Sequence, residues 1–474
     1  MLAVRGRAVA RLTAVVMASG LVVTGTAAAT ASASVADGSA PGEGGAAATL
    51  RGLQADASGQ AVVREGGAGR TVQAGLFRMD VDDGGTLQTY SVDMDNPART
   101  EARYQETPWR GTSLAANPDA GKIRWILQNS YPQVNDLDVL AKKAGLTGQL
   151  TNGTAAAGTQ VAIWRYSDHV RVEAVDPQAE RLADWLEKKA KKLAEPRASL
   201  ALDPSVVSGR PGRRIGPVTV RTSADRVTVT PSDDPSVTGV RIVDQAGAEI
   251  TGDVKDGSRL YFDVPADALD GTAALTVQAT TPVPVGRALS GESHSQTQIL
   301  AGSSDSTVTA AATTNWSKQG AAPAVTEAKD CAGGGVDITA RNNGDKPFTF
   351  ELLGVEYTIA PGVSRTVTAP VTEDQAYDLT VTGPDRFEKA FQGVLDCRTA
   401  GTSAPAQEQF TTMLAPTTAG GASAGATGTT GSMSAGTDLA ETGASGATPM
   451  IVGLAGVFVA LGAAGVLLLR KKSH

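Results

Sequence analysis

The chain runs to 474 residues with a formal net charge of −7, from 42 basic and 49 acidic side chains. That length allows about two or three domains at roughly 150 residues each, and nothing in the charge pattern offers a nucleic acid the basic patch it needs. Two cysteines and three scattered histidines cannot assemble a metal site, and no nucleotide loop or hydrolase motif points to a cofactor or to turnover.

In chain order, Arg5, Arg7 and Arg11 precede an apolar core from Leu12 to Val23, and Ala31-Ser32-Ala33 offers a small-residue cleavage site. The pattern predicts a secretory signal over 1–33. Residues 34–48 are rich in Gly, Ala and Ser and read as a flexible leader. A mixed domain is expected over 49–198. Its first strands are Val72 to Phe77 and Leu87 to Met94, turned by Asp83-Gly84-Gly85. Helices are expected at Ala120 to Asn129, Asp136 to Lys143 and Ala155 to Trp164. A fourth starts with Asp176 as N-cap and Pro177 at its first position, and stops at Pro196. Trp109, Trp125 and Trp164 are expected in the core. His169 and His294 suit surface or structural settings, and His474 falls in the tail.

From 203 to 300 apolar and polar residues alternate in short runs at 217–221, 226–230, 239–243, 260–264 and 273–277, which predicts a β-sandwich module. Residues 301–325 read as a Ser/Thr/Ala connector. A second sandwich module is expected over 326–399, with Cys331 before its first strand and Cys397 after its last. In an exported chain such a pair reads as a disulfide. Residues 400–438 hold too little apolar surface to fold and read as a disordered, wall-spanning stalk. At 439–474 the order is Leu439-Ala440-Glu441-Thr442-Gly443, a polar spacer, an apolar run from Met450 to Leu469, then Arg470-Lys471-Lys472. The run has the length of a transmembrane helix, and the basic end places its C-terminus in the cytoplasm.

This ordered tail resembles a sortase sorting signal of the LAxTG type. The resemblance implies cleavage after Thr442 by a sortase and a covalent bond from Thr442 to peptidoglycan, with the membrane holding the precursor. A second resemblance lies within 75–170. Thr159-Gln160-Val161-Ala162 resembles the TQxA motif of thioester domains in Gram-positive surface adhesins. The blocks Tyr104-Gln105-Glu106-Thr107-Pro108-Trp109 and Lys122 to Pro132 agree with it. The resemblance implies a cysteine on an early strand, joined to the glutamine side-chain carbonyl and opened by a surface amine. The matching block here is Thr89-Tyr90-Ser91-Val92-Asp93, which puts Ser91 in the cysteine position. A hydroxyl without a general base is a weak nucleophile, and an alkoxide leaves far less readily than a thiolate. Ser91 and Gln160 therefore admit three readings: a degenerate site with Gln160 hydrogen-bonded in the core, an intramolecular ester, or an unrelated role. Glu106 and Asp168 are the acids in these blocks that invite a site role, and solvated surface is their expected setting.

The fold class expected is multidomain and mainly β. It comprises an N-terminal α+β thioester-type domain, two β-sandwich-like modules, the stalk and the C-terminal transmembrane helix. The function expected is that of a wall-anchored surface protein, an adhesin or structural tip with an unknown surface ligand, and not an enzyme. The alternatives are an ester-cross-linked structural stalk and a wall-anchored secreted enzyme.

Overall fold

The computed structural model of the protein describes residues 44–397 except 66–67, 293–294 and 374. The expected signal peptide, most of the leader, the stalk, the sorting pentapeptide and the transmembrane helix lie outside the described residues, as do His294 and His474. Among the described residues no helix is long and apolar enough to cross a membrane.

The first domain opens with two long strands, β1 (Ala47–Glu65) and β2 (Ala68–Val81), paired antiparallel. The end of the expected leader belongs to this fold: β1 starts at Ala47, and Gly45 bridges to Thr309. The Asp83-Gly84-Gly85 turn leads into β3 (Thr86–Ser91). Gly84 and Gly85 have φ of 108° and 110°, a region that glycine enters at low cost. β4 (Arg103–Thr107) follows.

Four helices then cover the sheet. α1 (Ala120–Asn129) occupies its expected span and buries Ile123, Ile126 and Leu127. α2 (Leu137–Ala144) is capped by the Asp136 side chain. α3 (Asn152–Ser167) is longer than expected because Thr151 and Thr154 form a reciprocal capping box ahead of it. Every residue of α3 from Ala155 to Trp164 is buried, so this is a core helix rather than an amphipathic one. After β5 (Val172–Ala174), α4 (Pro177–Lys189) starts at Asp176-Pro177 as expected and ends early. The chain leaves the helix to run beside α1, where Leu193 N–H donates to Gly121 O at 3.2 Å.

Two four-stranded sheets form the second module. They use β6 (Leu200–Asp203), β7 (Val206–Gly209), β8 (Arg214–Thr222), β9 (Thr228–Pro231), a short α5 (Pro235–Thr238), β10 (Arg241–Val243), β11 (Arg259–Asp263) and β12 (Gly271–Pro282). The chain then departs from the expected order. β13 (Ala288–Gly291) and β14 (Gln298–Ser303) leave the sandwich and join the first domain. Its sheet runs β2-β3-β14-β13-β4-β1-β5. β14 is buried over five successive residues, the mark of a central strand covered on both faces.

β15 (Asp305–Trp316) returns to the sandwich and pairs with β12 along its whole length, so the two sheets run β10-β11-β8-β6 and β7-β15-β12-β9. The expected connector 301–325 is thus mostly strand. Its composition hid the fact because the core-facing positions are small: Val308, Ala310 and Ala312 are buried against Val277 and Leu275 in one cluster.

The third module is a sandwich of three and four strands. These are β16 (Pro323–Asp330), β17 (Gly335–Asn342) and β20 (Ser364–Pro370) against β18 (Phe348–Leu352), β19 (Val355–Ile359), β21 (Ala376–Thr382) and β22 (Glu388–Val394). Phe348 stacks on Phe350 and meets Phe387 edge-on in its core. Cys331 and Cys397 form the expected disulfide, with Cα atoms 5.1 Å apart and a sequence separation of 66. A loop of that length constrains the unfolded chain by ~4 kcal/mol. Cys331 N–H donates to Arg110 O at 3.1 Å, which seats the bridged end of the module on the first domain.

Glu106 is not on solvated surface as expected. Its side chain has no exposure and that of Arg287 has 5 %. One carboxylate oxygen accepts from Arg287 Nε at 2.7 Å and from Ser199 N–H at 2.9 Å. The other accepts from Ala46 N–H at 3.2 Å and from the Ser199 hydroxyl. The sequence hid this because the partners lie 60, 93 and 181 residues away. Arg287→Ala should destabilise the chain by ~3–5 kcal/mol in urea unfolding, since it leaves a buried carboxylate without its cation. Pairing it with Glu106→Leu should recover much of that loss. An Arg287→Ala effect below about 1 kcal/mol, the level of an exposed pair, would show that the pair is not buried in solution.

Candidate functional site

The end of β3 and the middle of α3 bring Ser91 and Gln160 together in the first domain's core, both with no exposure. On one side Ser91 lies opposite Gln298 of β14. On the other side the β2 pairing stops at Phe77↔Thr89, which leaves the backbone of residue 91 without a strand neighbour. The side-chain amide of Gln160 takes that place. Its Oε1 accepts from Ser91 N–H at 3.0 Å and its Nε2 donates to Ser91 O at 2.8 Å. The amide thereby satisfies two buried backbone groups, each of which would otherwise cost about 1–3 kcal/mol.

The Ser91 hydroxyl turns elsewhere. It donates to Asp93 O at 2.9 Å and accepts from Asp93 N–H at 3.2 Å. Both partners are backbone, so neither can act as a general base. His169 is exposed beyond the C-terminus of α3, at φ 55°, and takes no part in these contacts.

The loop after Ser91 is held by acids. Asp168 caps the C-terminus of α3. Its Oδ1 accepts from Met94 N–H at 2.9 Å and its Oδ2 from the Ser167 hydroxyl at 2.6 Å. Half-buried against the loop, it departs from the solvated setting expected of it. Burial is the main cause that pushes its carboxyl up to about 7, and Asp93 and Asp95 add to it, while the Ser167 hydroxyl and Met94 N–H oppose the rise. Asp93 is fully buried and accepts from Asn96 Nδ2 at 2.5 Å.

Chain segments far away in sequence complete the surroundings. Val92 N–H donates to Thr297 O at 3.1 Å. The Thr297 hydroxyl donates to Asp396 Oδ2 at 3.0 Å, at the edge of the third module. Tyr104 OH donates to Gln296 O at 2.9 Å and meets the Ser295 hydroxyl at 2.6 Å, and burial pushes its phenol up to about 12. Thr89 donates to Gln298 Oε1 at 2.9 Å. No sequence signal marked 295–298, since nothing local ties them to β3. The tryptophans pack as expected. Trp164 is 4 % exposed, Trp125 lies against Trp185, and Trp109 donates from its indole to Gly286 O. Among the described residues no group of His, Cys, Asp and Glu is placed to hold a metal ion.

Residues 88–195, which include both Ser91 and Gln160, match the thioester domain family. Residues 320–394 match the C-terminal domain of bacterial phospholipase C. Among solved structures the chain is similar to the Bacillus anthracis TIE protein, with 14 % identity over 74 % of this chain and 81 % of that one, at a TM-score of 0.25. It is also similar to the thioester domain of the Enterococcus faecium TIE86 protein, with 16 % identity over 58 % and 97 % and a TM-score of 0.27. No protein of curated function matches the chain. By the family match, residues 88–195 carry a thioester-type domain, in a mainly β, multidomain chain.

The raised Asp168 carboxyl makes a pH prediction. The folded chain holds this proton up to about pH 7, whereas an unfolded aspartate releases it near pH ~4. Between those values the folded state binds the extra proton, so stability should fall as pH rises through that window. Asp168→Asn keeps an acceptor for Met94 N–H and cannot titrate. Its urea midpoint should vary less with pH across the window than that of the wild type. Parallel curves for the two proteins would refute the assignment.

Proposed function

We propose that this chain is a sortase-anchored surface protein whose thioester-type domain works without a thioester. It is a non-covalent adhesion module or structural tip and turns nothing over. The observation that carries the reading is the commitment of Gln160. Both polar atoms of its amide are spent on the Ser91 backbone, and the Ser91 hydroxyl is spent on Asp93. Acyl transfer at Gln160 requires an activated nucleophile at residue 91, and capture of an amine then requires a good leaving group. Sulfur supplies both near neutral pH and oxygen supplies neither. The domain keeps the architecture and uses the glutamine as a strand substitute.

In this reading the two sandwich modules and the stalk carry the first domain outward from the wall, where Thr442 joins peptidoglycan after a sortase acts. The partner at the tip is a surface ligand of another cell or material. A second reading, an ester between Ser91 and Gln160 that stiffens a structural stalk, is favoured by their direct contact alone.

Intact mass separates the two. An ester expels one ammonia and lowers the mass by roughly 17 Da beyond the disulfide's two hydrogens. The non-covalent reading expects no such loss and no methylamine uptake. Ser91→Cys should gain both the loss and the uptake, and Gln160→Ala added to it should abolish them. Methylamine uptake by the wild type would overturn the proposal.

Anchoring is tested separately. Thr442→Ala should move the protein from the wall fraction to membrane and medium. An unchanged wall-bound fraction after exhaustive membrane extraction would refute the sorting signal.

A further inference from the structure

The junction between the second and third modules forms a cleft of about 630 Å³. One wall is β7, the turn that follows it and the start of β8, and the other is β16, β17 and β20. Four arginines line it, Arg210, Arg213, Arg214 and Arg341, and no acidic residue does. Arg210 is neutralised by Asp345 at 2.8 Å. The other three are exposed and have no carboxylate partner among the described residues. Arg214 gives one N–H to Gln245 O at 2.5 Å, and Arg341 gives its Nε to Asn343 Oδ1 at 3.0 Å. Arg213 makes no hydrogen bond among the described residues. It stands with Arg214 on a ridge, since both also line an adjoining hollow of about 730 Å³ beside Tyr261 and Asp263, and Asp263 is itself paired with Arg241 at 2.6 Å.

No acidic residue lines the cleft that Arg213, Arg214 and Arg341 share, although Asp263 lines the adjoining hollow with the first two; an entering anion relieves whatever mutual repulsion water and salt leave unscreened. The chain as a whole is acidic, at −7, so the cluster is not a sample of a basic surface. Guanidinium groups present paired N–H donors that match the oxygen pairs of phosphate and carboxylate. We propose that this cleft binds a multiply charged oxyanion, from a chain bearing phosphate or carboxylate groups, through Arg213, Arg214 and Arg341. The thioester-type site plays no part in it.

Calorimetric titration of the full chain with tripolyphosphate, and separately with trigalacturonate, tests the proposal and distinguishes the two sources. Binding of at least one probe is expected, weakening as salt screens the exposed charges. A response to tripolyphosphate alone assigns phosphate, one to trigalacturonate alone assigns carboxylate, and a response to both assigns the oxyanion charge they share. Arg213→Ala with Arg341→Ala should weaken binding about tenfold or more, since hydrogen bonds to charged groups are lost. Arg181→Ala with Arg226→Ala removes the same charge from outside the cleft and should retain affinity. Arg213→Ala alone breaks no bond in the folded chain and guards against misfolding of the double variant, with thermal melts as a check. Binding of neither probe, or equal loss in the control pair, would overturn the proposal.

Discussion

The buried carboxylate of Glu106 fixes the arrangement of much of this molecule. A charge without access to water must be paired and hydrogen-bonded. Glu106 meets that demand by gathering Ala46, Ser199 and Arg287 around it. Arg287 sits one residue before β13, and β13 pairs with β4 so that Leu289 lies opposite Glu106. That register sets β14 beside β3 and places Gln298 opposite Ser91. The neighbourhood of the Ser91–Gln160 contact is thus tied, strand by strand, to an ion pair in another part of the sheet.

How much the sequence disclosed depends on the range of the forces involved. Local signals were dependable. Asp176-Pro177 starts α4, the alternating runs between 217 and 277 fall on β8 to β12, and the 83–85 glycines turn the chain. The correspondence of residues 91 and 160 to two motif positions was legible from the order of the blocks, but whether the two residues touch was not. The departure of β13 and β14 from the sandwich was not. Their pairing with β3 and β4 spans about two hundred residues, as with Gln298 and Ser91 at 207 apart by number, and leaves no periodic trace. A Gln160 hydrogen-bonded in the core was among the readings the sequence allowed, but its partner was hidden, since nothing in Thr159-Gln160-Val161-Ala162 says that β2 stops short of residue 91.

Ser91 and Gln160 separate two properties that a motif normally joins. Position is conferred by the fold: β3, α3 and the missing β2 neighbour would bring any residue 91 to any residue 160. Reactivity depends on the atom found there: a hydroxyl without a general base is a weak nucleophile, and the Gln160 amide is hydrogen-bonded to the Ser91 backbone. The Gln160 amide completes the hydrogen bonding of the Ser91 backbone where β2 does not reach.

The bridge between Cys331 and Cys397 closes β16 to β22 at their base. A pull applied at Cys397 passes through sulfur into Cys331 and onward into β16, without travelling along the intervening chain. Residues 332–396 then carry no tension. The third module can lose its hydrogen bonds under load without lengthening the molecule, so its extensibility is set by the segments on either side of it.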